Sequence, residues 1–268
     1  MTAISTLEDM RSLLPQRIDF LNPATGVLGG GAIITQSLWG DTTLPVSGTT
    51  DPGNTTTGIV PTSATLNAPF IQPFSGVGYL TSVTFTNADI GTGNANTKRL
   101  WLFDRLFHVG RFTFGGLTTL SGQPSFAARL PNGSYSGLRI YVEESVQITF
   151  PGTVTVTYTN ENGVTGRTTS ALSISGGTLQ LRELALQAGD YGVQKIESVN
   201  ATGGAGAINV LVLRTIWAGS TRERPHDTTH GMEVIGLPQI WSDSCLMLGL
   251  NNEPGGQSYT NLALEIRG

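Results

Sequence analysis

The sequence has few charged side chains. Asp, Glu, Lys and Arg together make up 13% of its 268 residues, against roughly 25% in an ordinary soluble domain. Its polarity comes instead from Thr, Ser, Asn and Gln, which favour strands and turns. Because a surface with little charge is poorly protected against association, this composition favours a protein that assembles with other chains.

Lysine is especially scarce. Lys98 and Lys195 are the only lysines, beside thirteen arginines. Interfaces are enriched in Arg and depleted in Lys, although genome composition explains the same bias equally well. The net charge is −4, and no basic cluster occurs beyond Arg222 and Arg224. We therefore expect no nucleic-acid partner, because the electrostatic footprint for one is missing.

The sequence also has a single cysteine and no long apolar run. Cys245 is the only cysteine, which excludes an intrachain disulfide, and its apolar context CLMLGL predicts a buried, inert thiol. The N-terminus lacks the basic and apolar regions of a signal peptide, and no run approaches about 18 apolar residues. We expect a protein made in the cytosol that is neither exported by a signal peptide nor inserted in a membrane.

Catalytic motifs are few. There is no Gly-x-Ser-x-Gly elbow for a nucleophilic serine. Adjacent Glu143 and Glu144 would point to opposite faces of a strand, so they cannot form an acid–base pair without a bulge. His108 lies in an apolar context typical of a core histidine. The sequence predicts a protein that is not an enzyme and has no cofactor.

The best metal candidates are His226, Asp227 and His230. On a helix, histidines at i and i+4 would share one face and could bind an ion. Pro225 precedes the pair, however, and the run Thr-Thr-His-Gly that follows favours a loop. We therefore predict a polar, exposed loop here and no metal site.

The N-terminus carries a short helix signal. Ser5-Thr-Leu-Glu8 fits a capping box, and Pro15 ends the pattern. One apolar side of this helix holds Leu7, Met10, Leu13 and Leu14. About two turns are not stable alone, so we expect the helix to dock on its own body or on a neighbouring subunit.

Residues 22–75 are rich in proline and glycine, which disfavour central strands. Only GAIITQSLW and GIV are strand-like there. We predict an extended arm or long loops rather than a mobile linker, because four apolar anchors are spaced along it: Leu38, Trp39, Phe70 and Phe74. The predicted division is a helix and arm over 1–75 and a β body over 76–268.

From Tyr79 onward the apolar residues recur with the period of two that is typical of strands. Alternation is clear in YLTSVTFTN, and LRIYVEESVQITF is expected to form one bent strand or two short ones. The pair Asn162-Gly163 predicts a hairpin turn. A central strand is predicted for INVLVLRTIW, which is apolar on both faces, and the C-terminal LALEI could close the sheet. RLWLFDRLFHV predicts one or two helical turns, with an apolar strand nearly as good. The spacing predicts an all-β fold, an antiparallel β-sandwich or jelly-roll-like domain with a short N-terminal helix and an extended arm.

Several segments carry a family resemblance: 102–114 (LFDRLFHVGRFTF), 123–131 (QPSFAARLP), 154–169 (VTVTYTNENGVTGRTT), 184–199 (LALQAGDYGVQKIESV) and 208–217 (INVLVLRTIW). They resemble a group of tailed-bacteriophage virion proteins described as structural, minor capsid or head-decoration proteins. The resemblance covers about residues 75 to 268, and YTN-x-x-G-x-x-GRTT and LQAGD-x-GVQ are its most specific parts. It implies a non-enzymatic virion component and supplies no catalytic residues.

Composition and resemblance together predict a capsid decoration or cement protein on the outer head surface, acting as a homotrimer. Its partners would be the major capsid protein or other virion proteins. The N-terminal helix and arm would clamp its neighbours. A tail or baseplate component is the alternative. A receptor- or glycan-binding β module is an alternative of another class, and its sign would be clustered exposed aromatics; Trp39, Trp101, Trp217 and Trp241 are dispersed in sequence.

Overall fold

The structure, a computed structural model, describes residues 6–22, 52–65, 68–89, 98–175, 181–221, 226–252 and 258–268. It is 61% strand and 8% helix, and its strands pair antiparallel. The predicted all-β, sandwich-like class with a short N-terminal helix is confirmed. No helix in these ranges is long and apolar enough to span a bilayer.

The helices are α1 (Leu7–Ser12) and α2 (Met232–Ile235), and 3₁₀ turns cover Ala127–Arg129 and Pro131–Gly133. The strands in chain order are β1 (Gln16–Asn22), β2 (Asn54–Ile59), β3 (Val77–Asp89), β4 (Lys98–Thr119), β5 (Arg139–Phe150), β6 (Gly152–Asn160), β7 (Arg167–Thr168), β8 (Leu172–Ile174), β9 (Leu181–Leu184), β10 (Val193–Thr221), β11 (His226–Gly231), β12 (Gln239–Trp241), β13 (Leu246–Asn252) and β14 (Ser258–Arg267).

The smaller sheet has the order β1-β14-β3-β11, with β12 paired to the first residues of β3. Strand β14 contains LALEI and lies between β1 and β3, with Leu264 opposite both Ile18 and Val83. The prediction that this segment closes a sheet is confirmed. The same pairing brings the two ends of the described chain to one edge of the molecule.

The larger sheet has the order β13-β4-β10-β5-β9, with β2 paired to β4, β6 paired to β10, and β7 and β8 paired to β6. Strand β10 pairs with β4 on one side and, through residues 205–213, with β5 on the other. Ile208, Val210, Leu211, Val212 and Leu213 are all buried. The central strand predicted from INVLVLRTIW is confirmed.

The helical prediction for RLWLFDRLFHV is wrong, because the whole segment belongs to β4. Its apolar residues are continuous because both faces are covered: Leu100 and Leu102 face the smaller sheet, whereas Phe103 packs with Tyr141 and Leu213 on the other side. A strand buried on both faces loses its period of two. Over so short a run, spacing alone does not separate such a strand from a buried helix.

Strands β4 and β10 bend as they run together from Ser198 opposite Thr119 to Thr221 opposite Lys98. Their register shifts at several points along this length, including between Ile208 and Asn209 and between Val212 and Leu213. Such bulges bend a strand and increase its twist. The two strands can therefore contribute to two separate cores.

The first of these, the inter-sheet core, lies between the two sheets. It contains Leu80, Val83 and Phe85 of β3, Leu262, Leu264 and Ile266 of β14, Leu100 and Leu102 of β4, Leu246 and Leu248 of β13, and Ile18, Ile71, Ile216, Trp217 and Ile240. The second, the large-sheet core, is formed by strands of the larger sheet and by the segment 120–138 that connects β4 to β5. It includes Leu106, Val109 and Phe112 of β4, Val142 and Ile148 of β5, Val154, Val156 and Tyr158 of β6, Ile196, Val199, Ile208, Val210 and Val212 of β10, and Phe126 and Leu130.

The predicted N-terminal helix is present, but its cap lies one residue later than expected. The Thr6 hydroxyl accepts a hydrogen bond from the Asp9 amide at 3.1 Å, and the Asp9 carboxylate accepts one from the Thr6 amide at 2.9 Å. A short aspartate therefore closes the box where the sequence offered Glu8. Met10 of α1 is buried, so the helix docks on its own body.

Parts of the predicted arm belong to the sheets. Strand β1 is the edge of the smaller sheet, β2 pairs with β4 at Asn54 and Ile59, and Ile71 lies in the inter-sheet core. GIV is half in β2, whereas GAIITQSLW, with Leu38 and Trp39, lies outside the described residues. The division into 1–75 and 76–268 stays a prediction, but β1 and β2 are integrated with the body.

Candidate assembly surface

Exposed apolar side chains occur together near α1. The exposed fraction is 49% for Leu7, 89% for Leu14 and 67% for Phe70. These three, which we call the N-terminal apolar surface, were all predicted as partner-binding residues. Of the other candidates, Met10 is buried, Leu13 is half-buried and Phe74 packs against the inter-sheet core.

The backbone that carries this surface is held to the body. Arg267 donates hydrogen bonds to the carbonyl oxygens of Arg11 at 2.8 Å and Leu13 at 3.2 Å. The Gln16 side chain donates to the Gln72 carbonyl at 2.9 Å and accepts from the Gln72 amide at 2.8 Å. Leu14 and Phe70 each lie two residues from this reciprocal pair.

Phe74, four residues after Phe70, holds this segment to the body. Its ring lies against Gly78 and Gly268, where an added Cβ would come within 2.8 and 2.7 Å of ring carbons. Single exposed leucines are ordinary on protein surfaces. Here Leu7, Leu14 and Phe70 are exposed on segments that hydrogen bonds hold to the body, and such exposed apolar area is suited to docking against a second protein.

A buried ionic cluster lies on β4 between the two cores. The Asp104 carboxylate is fully buried, 3.3 Å from an Arg129 nitrogen and 3.4 Å from an Arg214 nitrogen. It also accepts hydrogen bonds from the Ser244 hydroxyl and the Cys245 amide, both at 3.0 Å. We call Asp104, Arg129 and Arg214 the Asp104 cluster.

The Asp104 cluster joins distant segments. Arg129 donates to the carbonyl oxygens of Pro61, Asp243 and Arg105. Arg214 donates to the Gln239 carbonyl at 2.8 Å, and burial lowers its pKa against the opposing effect of Asp104. Because Asp104 and Arg129 are shielded from solvent, the cluster ties segments together rather than offering a ligand site. Sequence reasoning missed it, although Asp104 and Arg214 stand among apolar residues of their strands and were a visible signal.

The adjacent glutamates of β5 contact different neighbours. The Glu143 carboxylate accepts a hydrogen bond from the Asn209 amide nitrogen at 3.1 Å. Glu144 lies 3.6 Å from the Arg182 guanidinium, and burial raises its pKa to about 7 while Arg182 opposes the shift. Both carboxylates are fully buried. The two do not act on one another, as expected for successive residues of a strand.

The predicted loop at His226, Asp227 and His230 is a strand. Residues 226–231 form β11, which pairs with β3, with His226 opposite Asn87 and His230 opposite Val83. Four residues of strand span about 13 Å, so the two histidines lack the one-turn spacing that a helix would give them. The His230 ring instead packs edge-on against Phe85 and Trp217.

Two other candidates lie in the interior. His108 is buried, and burial together with the charge of Arg105 lowers its pKa, so it stays neutral as a core histidine would. Cys245 is buried and its sulfur accepts a hydrogen bond from Arg105 at 3.2 Å. In the described part of the chain, no three His, Cys, Asp or Glu side chains are grouped closely enough to hold a metal ion.

No protein-family model and no curated protein matches the chain. Among solved structures, VP2 of infectious bursal disease virus in a subviral particle is 10% identical, with 95% of this chain and 80% of that chain covered and a TM-score of 0.20. A chain in the structure of the Gx strain of that virus is 11% identical, with 95% of this chain and 79% of that chain covered and a TM-score of 0.22. Scores this low carry no argument about fold or function.

Proposed function

We propose that the chain is a non-enzymatic structural protein of a tailed-bacteriophage virion that binds the outer surface of the head as a decoration or cement protein. The observation that carries the proposal is the N-terminal apolar surface, formed by Leu7, Leu14 and Phe70 on backbone held to the body. The sequence resemblance over residues 75–268 supports the class of particle.

The mechanism is mass action. A protein that binds only the expanded shell stabilises that shell relative to its other states. Complete burial of a leucine or phenylalanine side chain contributes about 1.5–3 kcal/mol. Leu14 and Phe70 together therefore supply a useful part of the binding free energy for each subunit contact. The net charge of −4 fits the outer face better than the DNA-lined interior.

The partners in this proposal are the major capsid protein or another virion protein, together with further copies of this chain in a trimer. Charge is scarce throughout the sequence, which fits a surface that is largely covered after assembly. Helix α1 docks on its own body through the buried Met10, whereas Leu7 and Leu14 remain exposed. These two leucines are therefore free to contact a neighbouring copy or the shell.

The test is attachment to particles that lack the protein. The double substitution Leu14→Ser and Phe70→Ser should lower particle binding at least about tenfold, because each loses apolar area worth about 1 kcal/mol or more. Leu117→Ser is the matched control. Leu117 is 67% exposed, like Phe70, but it lies near the C-terminal end of β4 and is not part of the N-terminal apolar surface. Co-sedimentation with the particles measures the bound fraction.

Equal binding of the double variant and the control would contradict the assembly role of this surface. Image reconstruction of the decorated particle then distinguishes the sites of attachment. Density at threefold positions on the head supports the cement proposal, whereas density on the tail or baseplate would replace it with the alternative. Light scattering of the free protein measures whether the trimer forms before attachment.

A further inference from the structure

Three loops meet at the end of the large-sheet core where β6 ends and β10 begins. They are residues 131–138, the turn 161–166 between β6 and β7, and residues 185–192 before β10. Together they line a shallow depression of about 450 Å³, which we call the loop-end pocket. Ligand sites in proteins are commonly about 300–1,000 Å³, so its size suits a small ligand.

Asp190 joins the loop 185–192 to strands β6 and β7. Its carboxylate accepts hydrogen bonds from the Tyr158 hydroxyl at 2.6 Å, the Asn160 side-chain amide at 2.8 Å and the Arg167 guanidinium at 2.8 Å. The hydrogen bond from Arg167 is the main cause that lowers the pKa of Asp190 to about 2. The Tyr158 hydroxyl in turn accepts from the Gln187 amide at 2.9 Å. The loops are thus tied to β6 by charge-assisted bonds.

Glu161 fixes the rim. One of its carboxylate oxygens accepts hydrogen bonds from the amides of Tyr191 at 3.1 Å and Gly192 at 2.9 Å, and the other accepts from the Asn162 side chain at 2.9 Å. The Tyr191 carbonyl accepts from the Gly137 amide at 2.8 Å. At Gly192 any Cβ would collide with the Tyr135 carbonyl, so only glycine permits this approach. The rim is therefore preorganised.

The lining has a distinctive chemistry. It contains the hydroxyls of Ser134 and Ser136, the amide of Asn162, the carboxylate of Glu161 and two tyrosines, and no lysine or arginine. Tyr135 is held edge-on against Phe126 at 5.9 Å between ring centroids, whereas the Tyr191 side chain is 65% exposed. Tyr191 thus supplies an exposed aromatic group beside the pocket.

We propose that the loop-end pocket binds a neutral carbohydrate. A sugar ring presents an apolar C–H face that can stack on an exposed aromatic ring, and hydroxyls that can bond with serine, asparagine and glutamate oxygens. An anionic ligand is disfavoured, because the only charge in the lining is the Glu161 carboxylate. A specific protein partner needs an interface of roughly 1,000 Å² of buried surface. A shallow depression lined by seven residues offers less contact area than that.

This inference does not rest on the proposed function, because the pocket and the N-terminal apolar surface share no residue. The test uses the purified full-length chain and a panel of immobilised neutral oligosaccharides of glucose, galactose, mannose and N-acetylglucosamine, with sialylated and sulfated counterparts. We expect at least one neutral compound to bind and its anionic counterpart to bind more weakly.

The decisive variant is Tyr191→Ala, which removes the aromatic platform but keeps the backbone N–H and C=O that hold the rim. It should lower the affinity for that compound at least about tenfold. Val164→Ala is the control, because Val164 is also half exposed in the neighbouring turn but does not line the pocket. Thermal unfolding checks that both variants remain folded.

Failure to bind any neutral sugar at millimolar concentration would overturn the proposal, as would binding that Tyr191→Ala leaves unchanged. Preference for the sulfated or sialylated compounds would also overturn it. Attachment of the Tyr191→Ala variant to particles should equal that of the unaltered protein. Loss of particle attachment in this variant would show that the pocket contacts the virion instead.

Discussion

Two regions of this molecule are held together in different ways. Around the inter-sheet core, β1, β3, β13 and β14 come from opposite parts of the chain, and the surface beside them exposes large apolar side chains. Around the loop-end pocket, the connecting loops come from one stretch of sequence and are fixed by carboxylates that accept several hydrogen bonds each. The first region is suited to docking through apolar area, and the second to presenting a polar site.

The Asp104 cluster lies where these two regions meet, so it provides the strongest test of their independence. Asp104→Ala leaves Arg129 and Arg214 without the carboxylate between them, which should cost about 3–5 kcal/mol of unfolding free energy. Urea unfolding followed by fluorescence and by circular dichroism measures the loss. We expect both cores to be destabilised together.

Asp243→Ala is the control for this change. The Asp243 side chain is exposed, and the variant keeps the backbone carbonyl that accepts a hydrogen bond from Arg129. Its effect should stay within about 0.5 kcal/mol. A loss below about 1 kcal/mol for Asp104→Ala would contradict a joining role for the cluster.

The next test removes the N-terminal contribution to one core only. Deletion of residues 1–22 takes away β1 and the buried Met10 and Ile18 side chains, which contribute about 1.5–3 kcal/mol each. Hydrogen exchange should show lower protection in β14 and β3, and little change in β6 and the first half of β10. Deletion of residues 1–5 is the control, and equal loss in both sheets would show that the cores unfold as one unit.

A smaller and more local effect is expected at the loop end. Asp190→Asn should cost about 2 kcal/mol, because it replaces a carboxylate that accepts three side-chain hydrogen bonds. The lowered pKa of Asp190 also gives a sign. Its stabilisation is complete above the ordinary value near 3.8 and disappears as the pH falls toward about 2.

Unfolding free energies measured between pH 2 and 5 check this prediction. The unaltered protein should lose more stability than Asp190→Asn as the pH falls through this window. The matched change Asp19→Asn alters an exposed carboxylate paired with Arg17 on β1 and should leave the slope unchanged. Parallel curves for all three proteins would exclude a role for Asp190.

The last prediction concerns Glu144, whose pKa burial raises to about 7. The folded protein then retains a proton that the unfolded chain has lost above its ordinary value near 4.5. Stability from this group is therefore greatest at low pH and falls as the pH rises toward 7. Glu144→Gln should remove this slope between pH 5 and 8, as measured by the midpoint of thermal unfolding. An identical slope in the variant would place the proton elsewhere.

The sequence predicted the elements whose signals are local. The alternation in β3 and β6 and the Asn162-Gly163 turn depend on neighbouring residues, and all three are present. The turn is longer than a two-residue hairpin because Asn160 accepts from Asn162 and Val164 through its side chain. Short-range chemistry of this kind can be inferred from one sequence.

The errors have a common physical cause. In β4, β11 and the predicted arm, long-range pairing decides the structure: β4 is covered on both faces, β11 is held by β3, and β1 is held by β14. Residues far apart in sequence supply those contacts, so spacing does not reveal them. For the candidate site, the sequence singled out Leu7, Leu14 and Phe70 as partner-binding residues but did not separate them from the buried Met10, and the Asp104 cluster and the pocket require the tertiary structure.

The long pairing of β4 with β10 has a mechanical consequence. The two strands run antiparallel over most of their length, and their hydrogen bonds lie across the strand direction. A force that slid β4 and β10 past one another would load many of these bonds in shear and all together rather than unzip them one by one. Separation of the two strands in this direction would therefore require a large force.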